Sequence, residues 1–63
     1  MTIAIFLRQP SSGVCIETND EDAVSKFLES DEGDIITVTR LRDQARVHIP
    51  VDNIADIIEG GHR

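Results

Sequence analysis

Four basic side chains that could bind an anion are concentrated in one part of an otherwise acidic chain. They alternate along two segments with the composition of β-strands, TVTRLR and ARVHIP: Arg40, Arg42, Arg46 and His48. Guanidinium groups present a planar fork of donors that matches carboxylates and phosphates. We therefore take these four residues as the candidate site for an acidic partner surface or a small anion. In the alternative interpretation, the arginines are strand-end charges that pair with Asp43 or with an acidic helix.

The negative charge of the chain is concentrated in its middle. The net charge is −6, and residues 17–34 carry eight carboxylates against the single amine of Lys26. Phosphate neutralisation needs a basic surface, so direct binding to nucleic acid is not expected. The simplest interpretation is that acidity keeps a small protein soluble. An acidic face can also contact a basic protein surface, and its candidate residues are Glu17, Asp20 and Glu21.

The residue types that catalysis or metal binding needs are scarce. One cysteine, Cys15, and two histidines are too few for an internal disulfide or a zinc-ligand set. The acidic residues 20–22 lack the glycine and the later glutamate of a calcium loop. We therefore expect a protein that is not an enzyme and that holds no metal or cofactor. We interpret Cys15 as a small buried hydrophobe.

No segment of the chain has the pattern of a targeting or membrane sequence. The first residues, MTIAIFL, lack a basic region and are followed at once by Arg8. No run approaches the roughly 18 apolar residues that cross a bilayer. A single unpaired cysteine is typical of a reducing compartment. We therefore expect a cytoplasmic protein that does not bind membranes.

The first 18 residues predict a β-hairpin. TIAIFLR (2–8) and GVCIET (13–18) are rich in β-branched and apolar residues, and they flank the turn residues QPSSG. The first strand is apolar on both faces, which predicts either a central position in the sheet or a face that meets a partner. The two strands are expected to pair antiparallel.

The next segment, TNDEDAVSKFLES (18–30), predicts a helix. Its start has a capping-box pattern formed by Thr18 and Glu21, or by Asn19 and Asp22 one residue later. Its apolar stripe consists of four residues: Ala23, Val24, Phe27 and Leu28.

DIITVTRL (34–41) and ARVHIP (45–50) predict a second hairpin. A two-residue turn at Asp43 and Gln44 pairs Arg42 with Ala45 and places four residues on the core face: Ile36, Val38, Val47 and Ile49.

The last segment, VDNIADIIEGGHR (51–63), fits either a helix or a turn that leads into a short strand. We favour the turn and strand, and we expect residues 60–63 to form a flexible tail. The elements together predict one α+β domain over residues 1–63, with a single helix on a small antiparallel sheet in the order β-β-α-β-β plus a short terminal element. A partly open barrel is one form that this sheet can take.

The small size of the chain predicts association. A domain of this length buries only about 60% of the surface that its unfolded chain exposes. We therefore expect a homo-oligomer. The candidate dimer contacts are Ala4 and Phe6, which lie on the second apolar face of the first strand.

Two known families share short patterns with this chain. The hairpin, ET-x-x-EDAV, the acidic loop and TVTRLR together resemble the small phage-encoded inhibitors of bacterial RNA polymerase. That resemblance covers residues 3–42 and implies a β-β-α-β core, with polymerase contacts from Arg40 and Arg42 and looser candidates at Glu17, Asp20 and Glu21. This chain departs from it by an added fourth strand and by missing aromatic residues.

ITVTRL followed by VHIPVDNIADIIE resembles the first half of the small flagellar-regulatory FlbD proteins.

We therefore expect a small acidic binding protein, encoded by a phage or mobile element, that docks on a host protein and modulates or inhibits it. The second hypothesis is a homo-oligomeric sponge for a small anionic ligand such as a nucleotide. The third is a structural or regulatory homodimer module.

Overall fold

The structure, a computed structural model, describes residues 2–9 and 14–60 and confirms the predicted α+β class. Within these residues the chain forms two antiparallel sheets, one short α-helix and one 3₁₀-helix. The elements in chain order are β1 (Ile3–Leu7), β2 (Cys15–Thr18), α1 (Ala23–Leu28), β3 (Ile35–Thr39), β4 (Arg46–Pro50), the 3₁₀-helix (Val51–Asn53) and β5 (Ile54–Glu59).

The three-stranded sheet has the order β2-β1-β5, so β1 is central, as its two apolar faces predict. The last segment forms a 3₁₀ turn followed by a strand, which confirms the favoured alternative. The second sheet contains β3 and β4 alone. The two sheets meet at one antiparallel bridge between Thr18 and Arg40, and they do not close into a barrel.

Both sheets and the helix contribute to one hydrophobic core. Alternation along each strand directs one set of side chains inward. The buried residues are Ile3, Ile5, Leu7, Ile16, Ala23, Ile36, Val38, Ile49 and Ile54. Phe27 and Val24 of α1 are partly buried against this core.

The predicted start of the helix is wrong. Thr18 belongs to β2, where it pairs with Ile3 and is fully buried. Its hydroxyl accepts a hydrogen bond from the Asp20 N–H at 3.1 Å, so it stabilises the turn after the strand. The helix begins at Ala23 after Asp22, whose side chain makes no capping hydrogen bond. Strand pairing and burial of Thr18 therefore outweigh its local capping preference.

The helix also ends two residues before the predicted limit of 18–30. It stops at Leu28, which is 74% exposed, although the sequence assigns that side chain to the apolar stripe. A helix of six residues has fewer than two turns, so only part of a stripe faces the core. The positive φ of Gly33, +89°, belongs to the turn that leads into β3.

The β3–β4 hairpin forms in a register two residues from the predicted one. Val38 pairs with Val47, and the Arg40 N–H donates to the Ala45 carbonyl at 2.8 Å. The loop is therefore four residues long, 41–44, in place of the expected two. A two-residue turn of the favoured type needs a positive φ at both positions, whereas the described loop has a positive φ only at Gln44, 61°. A shift of two residues keeps every side chain on its predicted face.

Cys15 is exposed, which corrects its interpretation as a buried hydrophobe. It pairs with Phe6 on the outer face of the three-stranded sheet, because its neighbours Ile16 and Val14 take the inner face. Gly60, the first residue of the predicted tail, donates its N–H to the Thr2 carbonyl at 3.0 Å. The rest of that predicted tail, 61–63, lies outside the described residues.

Within the described part of the chain, no helix has the length and apolar content that crossing a bilayer requires.

Candidate functional site

A groove of about 440 Å³ lies between β2 and the tip of the β3–β4 hairpin, and it contains two of the four predicted basic residues. We call it the hairpin groove. Its lining consists of Leu7, Val14, Cys15, Ile16, Glu17, Arg40 and Arg42. Leucine, valine and isoleucine supply an apolar floor, while the charged residues lie around it.

Three contacts fix the hairpin tip against β2. The backbone N–H of Leu41 donates to the Glu17 carbonyl at 2.9 Å. The Thr39 N–H donates to Asp20 Oδ2 at 2.8 Å, and the bridge between Thr18 and Arg40 lies between these two bonds. The donors of both bonds are backbone N–H groups, and Asp20 Oδ2 is the side-chain acceptor, so the position of the groove wall depends on the backbone of β2 and on the rotamer of Asp20.

Arg40 is oriented by a bidentate ion pair with Asp43. Its Nε donates to Oδ1 at 2.9 Å and its Nη2 to Oδ2 at 2.7 Å. Asp43 Oδ1 also accepts the Ala45 N–H at 3.1 Å. The hydrogen bonds from Arg40, followed by that from Ala45, lower the pKa of Asp43 from 3.8 to about 2, and the same pair raises the pKa of Arg40. Pairing with Asp43 is the alternative that the sequence allows to partner binding by the arginines, and for Arg40 this pairing is confirmed.

Arg42 differs from Arg40 in having an exposed guanidinium. It lies in the loop at the end of the hairpin and, within residues 2–9 and 14–60, forms no ion pair. The resemblance to the phage inhibitors implies that the two arginines alternate along one strand. They do not, since β3 ends at Thr39. Arg42 is therefore the cation of the groove that is available to a partner.

The other two predicted basic residues lie elsewhere. Arg46 and His48 belong to β4, where they are exposed and alternate with the inward residues Val47 and Ile49. His48 Nδ1 lies 2.9 Å from the hydroxyl oxygen of Thr37, across the hairpin. The structure thus divides the predicted set of four into a pair in the groove and a pair on the outer face of β4.

The three acidic candidates have different environments. Glu17 is exposed and lines the groove. The carboxylate of Asp20 is used to bind the backbone of Thr39, so its role is structural. Glu21 is exposed in the turn before α1. Only Glu17 therefore lies beside the arginines.

The predicted dimer contacts, Ala4 and Phe6, lie on the outer face of β1 and are partly buried. Their cross-strand neighbours are Glu17 and Ile58 for Ala4, and Cys15 and Asp56 for Phe6. This outer face is therefore mixed in character, with carboxylates on both sides of a narrow apolar stripe.

The thiol of Cys15 belongs to the single cysteine of the chain. Partial burial, and then the Glu17 carboxylate, raise the pKa of the Cys15 thiol, which disfavours the reactive thiolate. Among the described residues, no three histidine, cysteine, aspartate or glutamate side chains are grouped so that they could hold a metal ion.

Sequence reasoning missed the groove because its floor residues look like ordinary core residues. Val14 and Ile16 alternate as inward strand positions, and nothing in that pattern shows that the sheet stops short of covering them. Comparison with known proteins finds no similar family model, curated protein or solved structure.

Proposed function

We propose that this chain is a small non-enzymatic binding protein that docks on another protein through the hairpin groove. The observation that carries the proposal is an apolar floor bordered by one oriented arginine, Arg40, and one exposed arginine, Arg42. Protein interfaces combine apolar contact area with charged groups at the rim, and arginine is enriched in them.

The charge of the groove favours a protein partner over a small anion. Arg40 is neutralised by Asp43, and the Glu17 carboxylate offsets Arg42, so the four side chains sum to zero. A nucleotide sponge needs a net positive site for its phosphates. It would also draw on Arg46 and His48, which lie on a different face. The sponge hypothesis therefore ranks second.

The resemblance in TVTRLR makes bacterial RNA polymerase the first partner to test, with the chain acting as a phage- or mobile-element-encoded modulator. The experiment measures binding of immobilised protein to purified bacterial RNA polymerase at physiological salt. We expect Arg42→Glu to weaken binding at least about tenfold, because reversal of a contacting charge costs more than 1.4 kcal/mol. Arg46→Glu makes the same charge change on the outer face of β4 and should change binding little.

Three outcomes would contradict the proposal. Equal losses in both variants would show that net charge, and not the groove, governs binding. Absence of binding to polymerase and to every protein in a bacterial lysate would remove the docking function altogether. A thermal shift with nucleotides that disappears in Arg42→Glu would favour the sponge in its place.

A further inference from the structure

One edge of the hairpin groove is the outer edge of β2, beside which no strand lies among residues 2–9 and 14–60 apart from the bridge between Thr18 and Arg40. In an antiparallel pair, residues alternate between those that exchange backbone hydrogen bonds with the neighbouring strand and those that direct them away. The Leu7 N–H donates to the Val14 carbonyl at 2.9 Å, which defines the bonded positions between β1 and β2. Counting from Val14, Ile16 also bonds to β1, whereas Cys15 and Glu17 direct their backbone groups to the opposite side.

Glu17 and Cys15 differ in what they meet on that side. The Glu17 carbonyl accepts the Leu41 N–H of the hairpin. Among the described residues, none forms a hydrogen bond to the backbone N–H or C=O of Cys15. Cys15 lines the hairpin groove and is exposed. Within the part of the chain that the structure describes, the backbone donor and acceptor of Cys15 are therefore open at the edge of the groove, next to the apolar floor.

We propose that the hairpin groove takes an extended peptide segment of the partner, which adds as a short strand to β2 at Cys15 and places a carboxylate on Arg42. The proposal rests on the docking function proposed above and specifies its mode. Strand addition supplies affinity through backbone hydrogen bonds and specificity through alternate side chains. The hairpin contact at Glu17 ends the open edge, so the added strand is short.

The chemistry of the groove defines the segment that it takes. Alternate side chains of an added strand face the same side. One such side chain meets the floor of Val14 and Ile16, which requires an apolar residue. The next on that side reaches the rim, where Arg42 is the exposed cation while the fork of Arg40 is occupied by Asp43. The expected pattern is therefore an apolar and an acidic residue separated by one position.

The charge of the groove argues against a second copy of this chain as the occupant. A second β2 would bring the carboxylate of its own Glu17, at a position fixed by its fold, to a groove that already holds one carboxylate. A partner segment meets the same limit on the length of the added strand, but its carboxylate can be placed on Arg42.

The test uses a displayed library of random seven-residue peptides as the probe. Wild-type protein should enrich peptides in which an apolar and an acidic residue are separated by one position. Arg42→Glu should enrich a basic residue at the acidic position, and Arg46→Glu should enrich the wild-type pattern. Amide hydrogen exchange measured by NMR then locates the best peptide. We expect exchange at Cys15 to slow at least about tenfold, while exchange at Ile16, already bonded to β1, stays unchanged.

Each other outcome overturns the inference in a distinguishable way. If an enriched peptide binds but exchange at Cys15 does not slow, strand addition is wrong while docking through the groove stands. If no peptide is enriched, the groove does not take extended segments, and polymerase binding decides the docking function separately. If exchange at Cys15 slows with protein concentration alone, the edge pairs with a second copy.

Discussion

At the scale of single residues, Asp43 organises the hairpin tip. Its two oxygens accept both the guanidinium of Arg40 and the backbone N–H of Ala45, so one short side chain closes the loop and orients an arginine. The sequence shows that an acid lies near the arginines. It does not show which of them the acid binds, because that depends on the conformation of the loop.

The titration of Asp43 tests this arrangement. Its pKa is lowered to about 2, so its stabilising contribution is complete above pH 3.8 and is lost as the pH falls through about 2. We expect Arg40→Gln to raise the pKa of Asp43 toward 3.8, measured by carboxyl carbon NMR. Arg42→Gln, which removes the weakest of the lowering effects, should raise it much less. A midpoint near 3.8 in the unaltered protein would show that the ion pair is not formed in solution.

At the scale of elements, the β3–β4 hairpin shows why strand faces are easier to predict than strand pairing. Alternation alone assigns Ile36, Val38 and Ile49 to the core, and all three are buried. The register depends on the loop, whose four residues include Gln44 in the left-handed region. A glutamine gives no local signal for that conformation, so the sequence misplaces the pairing by two residues.

Substitution at Gln44 tests the loop conformation. Left-handed backbone is strained for residues with a Cβ and unstrained for glycine. We expect Gln44→Gly to be more stable than Gln44→Ala by about 1 kcal/mol in urea unfolding. Both variants lose the hydrogen bond from Gln44 Nε2 to the Leu41 carbonyl, so that loss cancels. Ala45 has no left-handed backbone that a glycine could relieve, so Ala45→Gly should lower the stability of the protein. Equal stability of the two Gln44 variants would show that the turn has a different conformation.

At the scale of the whole molecule, two sheets joined by a single bridge share one core. Ile5 of β1 and Ile49 of β4 are both almost completely buried, although their strands belong to different sheets. Burial in a common core couples the sheets more strongly than the bridge between Thr18 and Arg40, since apolar burial dominates the stability of small domains. The molecule should therefore unfold as one cooperative unit.

Conservative truncations test that cooperativity. Ile5→Val and Ile49→Val should each lower the free energy of unfolding by about 0.5–1.5 kcal/mol. Each variant should shift the midpoint of a single unfolding transition. That midpoint should be the same when it is measured by far-UV circular dichroism and by NMR signals from either sheet. Ile35→Val, at a position that is 61% exposed, should change stability by less than about 0.5 kcal/mol. Separate transitions for the two sheets would show that each is stabilised independently.

The sequence by itself determined the fold class and the inward faces of the strands, because these follow from local composition and alternation. It favoured a central β1 and a turn before β5 over their alternatives. The tertiary structure decided what depends on contacts between distant residues. It buried Thr18 in β2 and so delayed the helix, exposed Cys15, and paired Arg40 with Asp43. The groove forms where the hairpin tip contacts β2 at Glu17 but not at Cys15. The sequence does not predict this groove, because no pattern along the chain encodes where two strands stop pairing.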